Sequence, residues 1–265
     1  GNKTDTVNIM DLYRKFHGNI DYNDPNATFF QTSLEKLNFP SGDYVLPLGG
    51  QTNQKFNNYM MFSSFSEENQ ALVNMLFSDE NLNSDMTVGF TGNPNIGSVV
   101  LNQFAQSPQF TTFANDFNEG DNIFIISSIF GGTGAAGFPL LLKTFRQAQQ
   151  FNTFANPAII ADAPIGALSA LPYFGLQTNG NSEINMATFI TKAKSALTYY
   201  QNNLDTDALY YIADSMTSSY DNVEGSEGQK NDAHLIEMAS ALAIIDFAKD
   251  PQIMRGAKIY KEFAT

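Results

Sequence analysis

Residues 121–139 read DNIFIISSIFGGTGAAGFP, and the rest of the chain is interpreted outward from them. Ile123 to Ile126 form a short continuous apolar run, β-branched and bounded by turn residues, which suits a strand buried on both faces. Ser127 to Phe130 carry the chain out of the sheet. Four glycines follow in seven residues: Gly131, Gly132, Gly134 and Gly137. Phe138 to Arg146 then reads as a helix, with Pro139 near the first helical position, where its missing N–H costs nothing. Strand, glycine loop and helix in this order aim free backbone N–H groups at an anion.

Residue size sets the chemistry of the loop. Glycines let the backbone approach a ligand with no Cβ in the way. Successive N–H groups form a concave nest, the helix N-terminus adds partial positive charge, and Thr133 adds a hydroxyl. No lysine lies in the loop, which excludes the P-loop pattern. Gly132, Gly134 and Gly137 give G-x-G-x-x-G only if the helix starts late. Tight strand–helix packing is the other use such glycines have.

The bulk properties narrow the function. Lys and Arg total 14 against 27 Asp and Glu, a net charge of −13 over 265 residues. An acidic chain offers no basic stripe for a nucleic-acid backbone or an anionic membrane surface. The chain has no cysteine, so disulfides and thiolate metal sites are excluded and a cytoplasmic location is expected. No apolar run approaches the roughly 20 residues of a membrane span. His17 and His234 have no neighbours at ligand spacing, so no metal site is expected of them. No nucleophile–histidine–acid set is present, and no internal repeat is visible.

Along the chain, Asp11–Phe16 suggests a short helix starting near Thr6. Phe29–Leu37 suggests a short helix or strand, and residues 43–48 a strand. Ser66 is an N-cap candidate for a helix to Phe77, with Ala71, Leu72, Met75 and Leu76 as its apolar face. Residues 89–97, GFTGNPNIG, form a second loop leading into a helix from Ser98, followed by another over Phe110–Phe117. Residues 158–165 read as a strand extended towards Leu168, Asn185–Asn202 as a long helix, and Leu209–Ala213 as a strand. Asn231–Ala248 reads as a helix with Leu235, Met238, Ala239, Leu242 and Ile245 on its apolar face. The expected fold class is α/β: a Rossmann-like, mostly parallel sheet with helices on both faces.

The glycine loop resembles the signature loop of the tubulin and FtsZ superfamily, G-G-G-T-G-[ST]-G after an apolar strand. Gly131, Gly132, Thr133 and Gly134 match, and Pro139 falls where FtsZ proteins carry a proline. Phe130, Ala135 and Ala136 depart from the pattern. Residues 89–97 resemble the FtsZ loop G-A-G-A-N-P-E-I-G at Gly89, Gly92 (as a small residue), Asn93, Pro94, Ile96 and Gly97, in the same order and at about the same distance before the signature loop. Together the two loops identify the chain as similar to that superfamily from about Gly89 to Asp250.

The resemblance implies a guanine-nucleotide-binding protein in which GTP hydrolysis is coupled to head-to-tail assembly into cytoskeletal filaments. Gly131, Gly132, Thr133, Gly134 and Ala135 would hold phosphate oxygens. Gly92, Asn93, Pro94 and Asn95 would close over the terminal phosphate, with Mg²⁺ between the phosphates. The loop after the strand ending near Leu168 would meet ribose and base, and Asn231 would read guanine or serve as a simple N-cap. Residues 244–250, IIDFAKD, are similar to the FtsZ segment N-V-D-F-A-D, whose carboxylates act on a neighbouring subunit's nucleotide. Asp246 and Asp250 are the nearest equivalents, although Ile244 and Lys249 depart from the pattern.

The implied organisation is a nucleotide-binding domain over 1–230, a central helix over 231–249, and at 250–265 the start of a further region. The family's first strand and first phosphate loop are not seen, so the chain is expected to be a fragment cut downstream of them. Two alternatives remain: an assembly protein that keeps the fold without hydrolysis, and an unrelated enzyme using the loop for another phosphate ligand.

Overall fold

The structure is a computed structural model and describes residues 3–35, 54–86, 90, 92–151, 154–177, 186–221 and 232–264. Helix α1 (Lys3–Gly18) is longer than the sequence suggests. It packs on the irregular segment after it: Tyr13 donates its hydroxyl to Thr32 O and Phe16 stacks on Phe30. The described part of the segment expected to be helix or strand, residues 29–35, is neither. The strand expected at 43–48 lies outside the described residues.

Helices α2 (Phe56–Tyr59), α3 (Glu67–Leu76), α4 (Asp79–Asn83) and α5 (Pro94–Leu101) surround a small core of Phe56, Phe77, Leu82, Met86, Phe90, Ile96 and Val100. Ser66 caps α3 as expected, accepting from Asn69 N. The apolar face of α3 lies largely at the surface: Leu72, Met75 and Leu76 are all exposed, Met75 by 82%. Periodicity identified the helix, but the burial of its apolar face depends on what packs there. α5 starts at Pro94 rather than Ser98, because proline supplies helical φ at a position needing no N–H. Helix α6 (Pro108–Asp116) begins the same way, behind a Ser107 cap.

The main sheet contains β1 (Ile123–Ser128), β2 (Ile165–Ala170), β4 (Ala208–Ala213) and β6 (Ile259–Ala264), in that spatial order and all parallel. Between β1 and β2 come α7 (Gly132–Arg146) and α8 (Pro157–Asp162); α9 (Met186–Asn203) joins β2 to β4, and α10 (Leu235–Lys249) precedes β6. Two short strands, β3 (Gly175–Gln177) and β5 (Ser219–Asp221), pair in a separate parallel ribbon. The α/β class, the parallel sheet and helices on both faces are as expected.

Three boundaries differ from the sequence reading. α7 starts at Gly132, so the glycines form its first turns and Pro139 lies inside the helix. Residues 157–162 are helical rather than strand, because Pro157 starts a turn that Pro164 ends, and β2 begins only at Ile165. Residues 259–264, placed in a further region, pair with β4 and extend the sheet.

Alternation along the strands sorts the core. Ile123, Ile125, Ile165, Ala167 and Leu209 face α7 and α9, with Phe138, Leu142, Phe145 and Tyr200 filling that layer. Phe124, Leu168, Tyr210 and Ile212 face α10, through Ile236, Ala243 and Phe247. Each fully buried Leu, Ile or Phe contributes about 2 kcal/mol relative to exposure. Every crossover steps in the same direction across the sheet, yet α10 lies on the face opposite α7 and α9. The β4–α10–β6 crossover therefore has the opposite hand to β1–α7–β2. Parallel crossovers are almost always right-handed, so at least one here has the rare hand.

The apolar face read for α10 is also largely exposed. Leu235, Met238, Leu242 and Ile245 are exposed, Met238 by 58%. The helix is apolar nearly all round, so spacing alone could not select the buried side.

Candidate functional site at the carboxyl edge of the sheet

β1 ends at Ser128, and within four residues the chain turns into α7 through Gly131. The turn is tight. A Cβ on Gly134 would stand 2.7 Å from Ser128 O and 3.0 Å from Ser128 N. Gly134 is therefore required for the helix to start against its own strand, and this is the packing role weighed beside anion binding. Gly132 serves a second approach: a Cβ there would be 3.1 Å from Asn93 N and 3.3 Å from Gly92 N. Gly97 lets α5 lie on α7, its Cβ position falling 2.8 Å from Ala136 Cβ.

These contacts bring the two sequence loops together. The N-termini of α5 and α7 lie side by side at the carboxyl end of β1. Neither Asn93 nor Gly131 caps its helix with a side chain, whereas Ser66, Ser78, Ser107 and His234 cap α3, α4, α6 and α10. The N–H groups of Gly132, Thr133 and Gly134 precede the first intrahelical bond of α7, from Ala135 N to Gly131 O at 3.3 Å. Two dipole ends thus converge with N–H groups that, among the described residues, have no backbone acceptor outside the helix, the arrangement that favours an anion. Thr133 and Asn95 are exposed, and Ala135 is buried. Gly92 turns the chain at φ +68°, and Lys192 of α9 holds the turn by donating to Gly92 O at 2.9 Å. Burial lowers the pKa of this lysine.

An aromatic cluster forms beside the loop, and the sequence reading missed it. Phe130 packs on Phe189, Phe174 and Tyr173, with ring centroids 5.0, 5.5 and 6.2 Å away. Tyr173 in turn meets the His234 ring at 4.8 Å. His234, which the sequence reading set aside, accepts from Ile236 N through Nδ1. Its Nε2 therefore carries the proton and lies 3.3 Å from Asp214 Oδ2 at the end of β4. The missed signal was positional: Phe130 and Tyr173 lie in the loops that follow β1 and β2, and His234 directly precedes α10. Gly89 and Asn231 lie outside the described residues, so neither the start of the second loop nor the base-reading asparagine is located.

Asp246 and Asp250 lie at the other end of the sheet. Phe247 beside them packs over Gly166 and Phe124, near the amino ends of β2 and β1. Both carboxylates are engaged: Lys261 Nζ is 2.5 Å from Asp246 Oδ2 and 3.1 Å from Asp250 Oδ2, and Tyr210 donates to Asp246 at 2.6 Å. The Lys261 hydrogen bond, then that of Tyr210, lowers the Asp246 pKa.

No carboxylate lies within the loop residues 131–135, so an ion there would be held by phosphate and water, with Thr133 as the one side-chain oxygen on offer. Among the described residues, no group of three or more His, Asp or Glu side chains could hold a metal. No described helix is long and apolar enough to cross a membrane. Comparison with protein-family models, curated proteins and solved structures finds no match for this chain.

Proposed function

We propose that the chain binds a guanine nucleotide in the manner of the tubulin and FtsZ superfamily, with Mg²⁺, and couples GTP hydrolysis to head-to-tail self-assembly in the cytoplasm. The observation carrying this reading is the convergence of the α5 and α7 N-termini, both without side-chain caps, at the carboxyl edge of a parallel sheet. Phosphate oxygens would accept from the N–H groups of Gly132, Thr133 and Gly134. Gly92 to Asn95 would close from the side, and Asn231 would read the base. Asp246 and Asp250, at the opposite end of the sheet, would act on the next subunit's nucleotide in a head-to-tail assembly.

One observation favours a second reading, an assembly protein that keeps this site without hydrolysing. Lys261 pairs with both carboxylates that would otherwise orient water. Calorimetric titration with GDP and GTP, and ATP as control, tests the shared claim. Guanine-selective micromolar binding, about −8 kcal/mol, is expected; absence of binding overturns both readings. GTP turnover that rises faster than linearly with protein concentration supports hydrolysis in trans, and its absence leaves the assembly reading.

A further inference from the structure

A groove runs away from the phosphate loops between α5, α7 and α9, enclosing a cavity of about 550 Å³. Its floor is apolar: Ala136, Pro139 and Leu140 of α7, with Ala196 and Tyr200 of α9. Its rim is polar, with Ser195 and Tyr199 on one side and Ser98 and Asn95 on the other. The volume lies in the range of small-molecule sites, which pair an apolar body with a few placed polar groups.

The charge of the groove is what distinguishes it. Acidic residues outnumber basic ones nearly two to one in the chain, yet the cavity lining includes Lys143 and Lys192 and no carboxylate. Lys192 uses one donor on Gly92 O, which leaves two of its three N–H groups. Among the described residues, no hydrogen bond or ion pair engages the Lys143 ammonium. α5 also presents its N-terminal end here, through Pro94 and Asn95.

We propose that this groove is a binding site for a small organic anion, its carboxylate or phosphate paired with Lys143 or Lys192 and its flat apolar body lying on Pro139, Leu140 and Tyr200. The groove adjoins the nucleotide site and shares Asn93, Pro94, Asn95 and Ala135 with it, but its apolar floor lies along the flanks of α7 and α9 rather than above the strands. It does not depend on the nucleotide reading.

Sodium 2-naphthoate serves as the probe, followed by calorimetry and by amide chemical-shift mapping of the whole chain. Its neutral counterpart, 2-naphthylmethanol, should bind at least about tenfold more weakly, a difference of about 1.4 kcal/mol. Ser195→Trp fills the cavity from an exposed helical position and should remove most of the binding. Lys143→Gln, which changes one exposed side chain and leaves the fold intact, should weaken naphthoate about three- to tenfold with little effect on the alcohol. Absence of naphthoate binding, equal affinity for acid and alcohol, or unchanged binding in both variants overturns the proposal. Displacement of naphthoate by GDP overturns the groove floor as the naphthoate seat, and GDP binding without displacement supports it. Failure of GDP to bind leaves the naphthoate result standing and counts only against the nucleotide reading.

Discussion

The buried hydroxyl of Tyr200 donates to Ala135 O at 3.3 Å, the carbonyl that Pro139 leaves without a helical partner. Residue 139 would normally bond back to residue 135, and proline has no N–H to offer. A side chain 65 residues away therefore completes the α7 ladder, and burial raises its pKa well above the ordinary tyrosine value. Tyr200→Phe should cost about 1–2 kcal/mol, the penalty for an unsatisfied buried carbonyl. In a Pro139→Ala background the N–H returns, and the same substitution should cost less than half as much. Urea unfolding of the four proteins measures the coupling; additive costs would mean that the hydroxyl serves no such role.

The same residues show what the sequence could and could not disclose. A proline two positions past the last of four glycines reads as a helix start, because nothing local indicates that a distant tyrosine will replace its missing hydrogen bond. The parallel sheet was legible from β1 and β4, whose apolar runs have one plausible use. The convergence of the loops at 92–95 and 131–134 was anticipated only through a resemblance, since spacing carries no information on which turns meet. The grouping of Phe130, Tyr173 and His234 was not foreseen, because an aromatic cluster is assembled from three connections far apart in sequence. The exposure of the apolar faces of α3 and α10 was not legible, because periodicity reports amphipathicity, not a partner.

Two glycines of α7 should respond oppositely to the same change. A Cβ at Gly134 meets Ser128 backbone atoms at 2.7 and 3.0 Å, and a strand cannot yield to it as a side-chain tip could. Gly134→Ala should cost about 1–3 kcal/mol, in the range of overpacking. A Cβ at Gly137 meets only Leu101 Cδ1, at 3.4 Å, an ordinary contact. Gly137→Ala should stabilise by about 0.5–1 kcal/mol through helix propensity and reduced freedom of the unfolded chain. Thermal and urea unfolding of the two variants should move in opposite directions. If Gly134→Ala were neutral, strand–helix packing would not be what holds a glycine there.

Asp207, fully buried, ties three elements at the amino end of the sheet. It accepts from Ile165 N at 2.7 Å, Arg146 Nη2 at 2.6 Å and Gly256 N at 2.6 Å. Asp207→Ala strands the buried Arg146 guanidinium and two backbone donors, at a cost of about 3–5 kcal/mol. Arg255, half-exposed at the same cluster, also pairs with Asp205 and Asp207. Arg255→Met should cost no more than about 1 kcal/mol, because solvent already screens that pair. Comparable costs for the two variants would show that burial does not set the energetics of the cluster.

Lys261 should govern how stability changes at both extremes of pH. Its hydrogen bond, followed by that of Tyr210, lowers the Asp246 pKa; that stabilisation is present above the unfolded carboxylate value and is lost as pH falls below about 4. The Lys261 pKa is raised, first by the Asp246 hydrogen bond against the opposing effect of burial. Its contribution is therefore complete below the unfolded lysine value and disappears as pH rises beyond about 10.5. Lys261→Met should flatten the stability profile at both ends while changing little of its shape between pH 6 and 9. Denaturant midpoints measured from pH 2.5 to 11 supply the comparison. The same variant separates the two functional readings. If Asp246 and Asp250 act in trans on nucleotide, freeing them from Lys261 should raise concentration-dependent GTP turnover. If the clamp is purely structural, turnover stays at background while the pH profile still flattens.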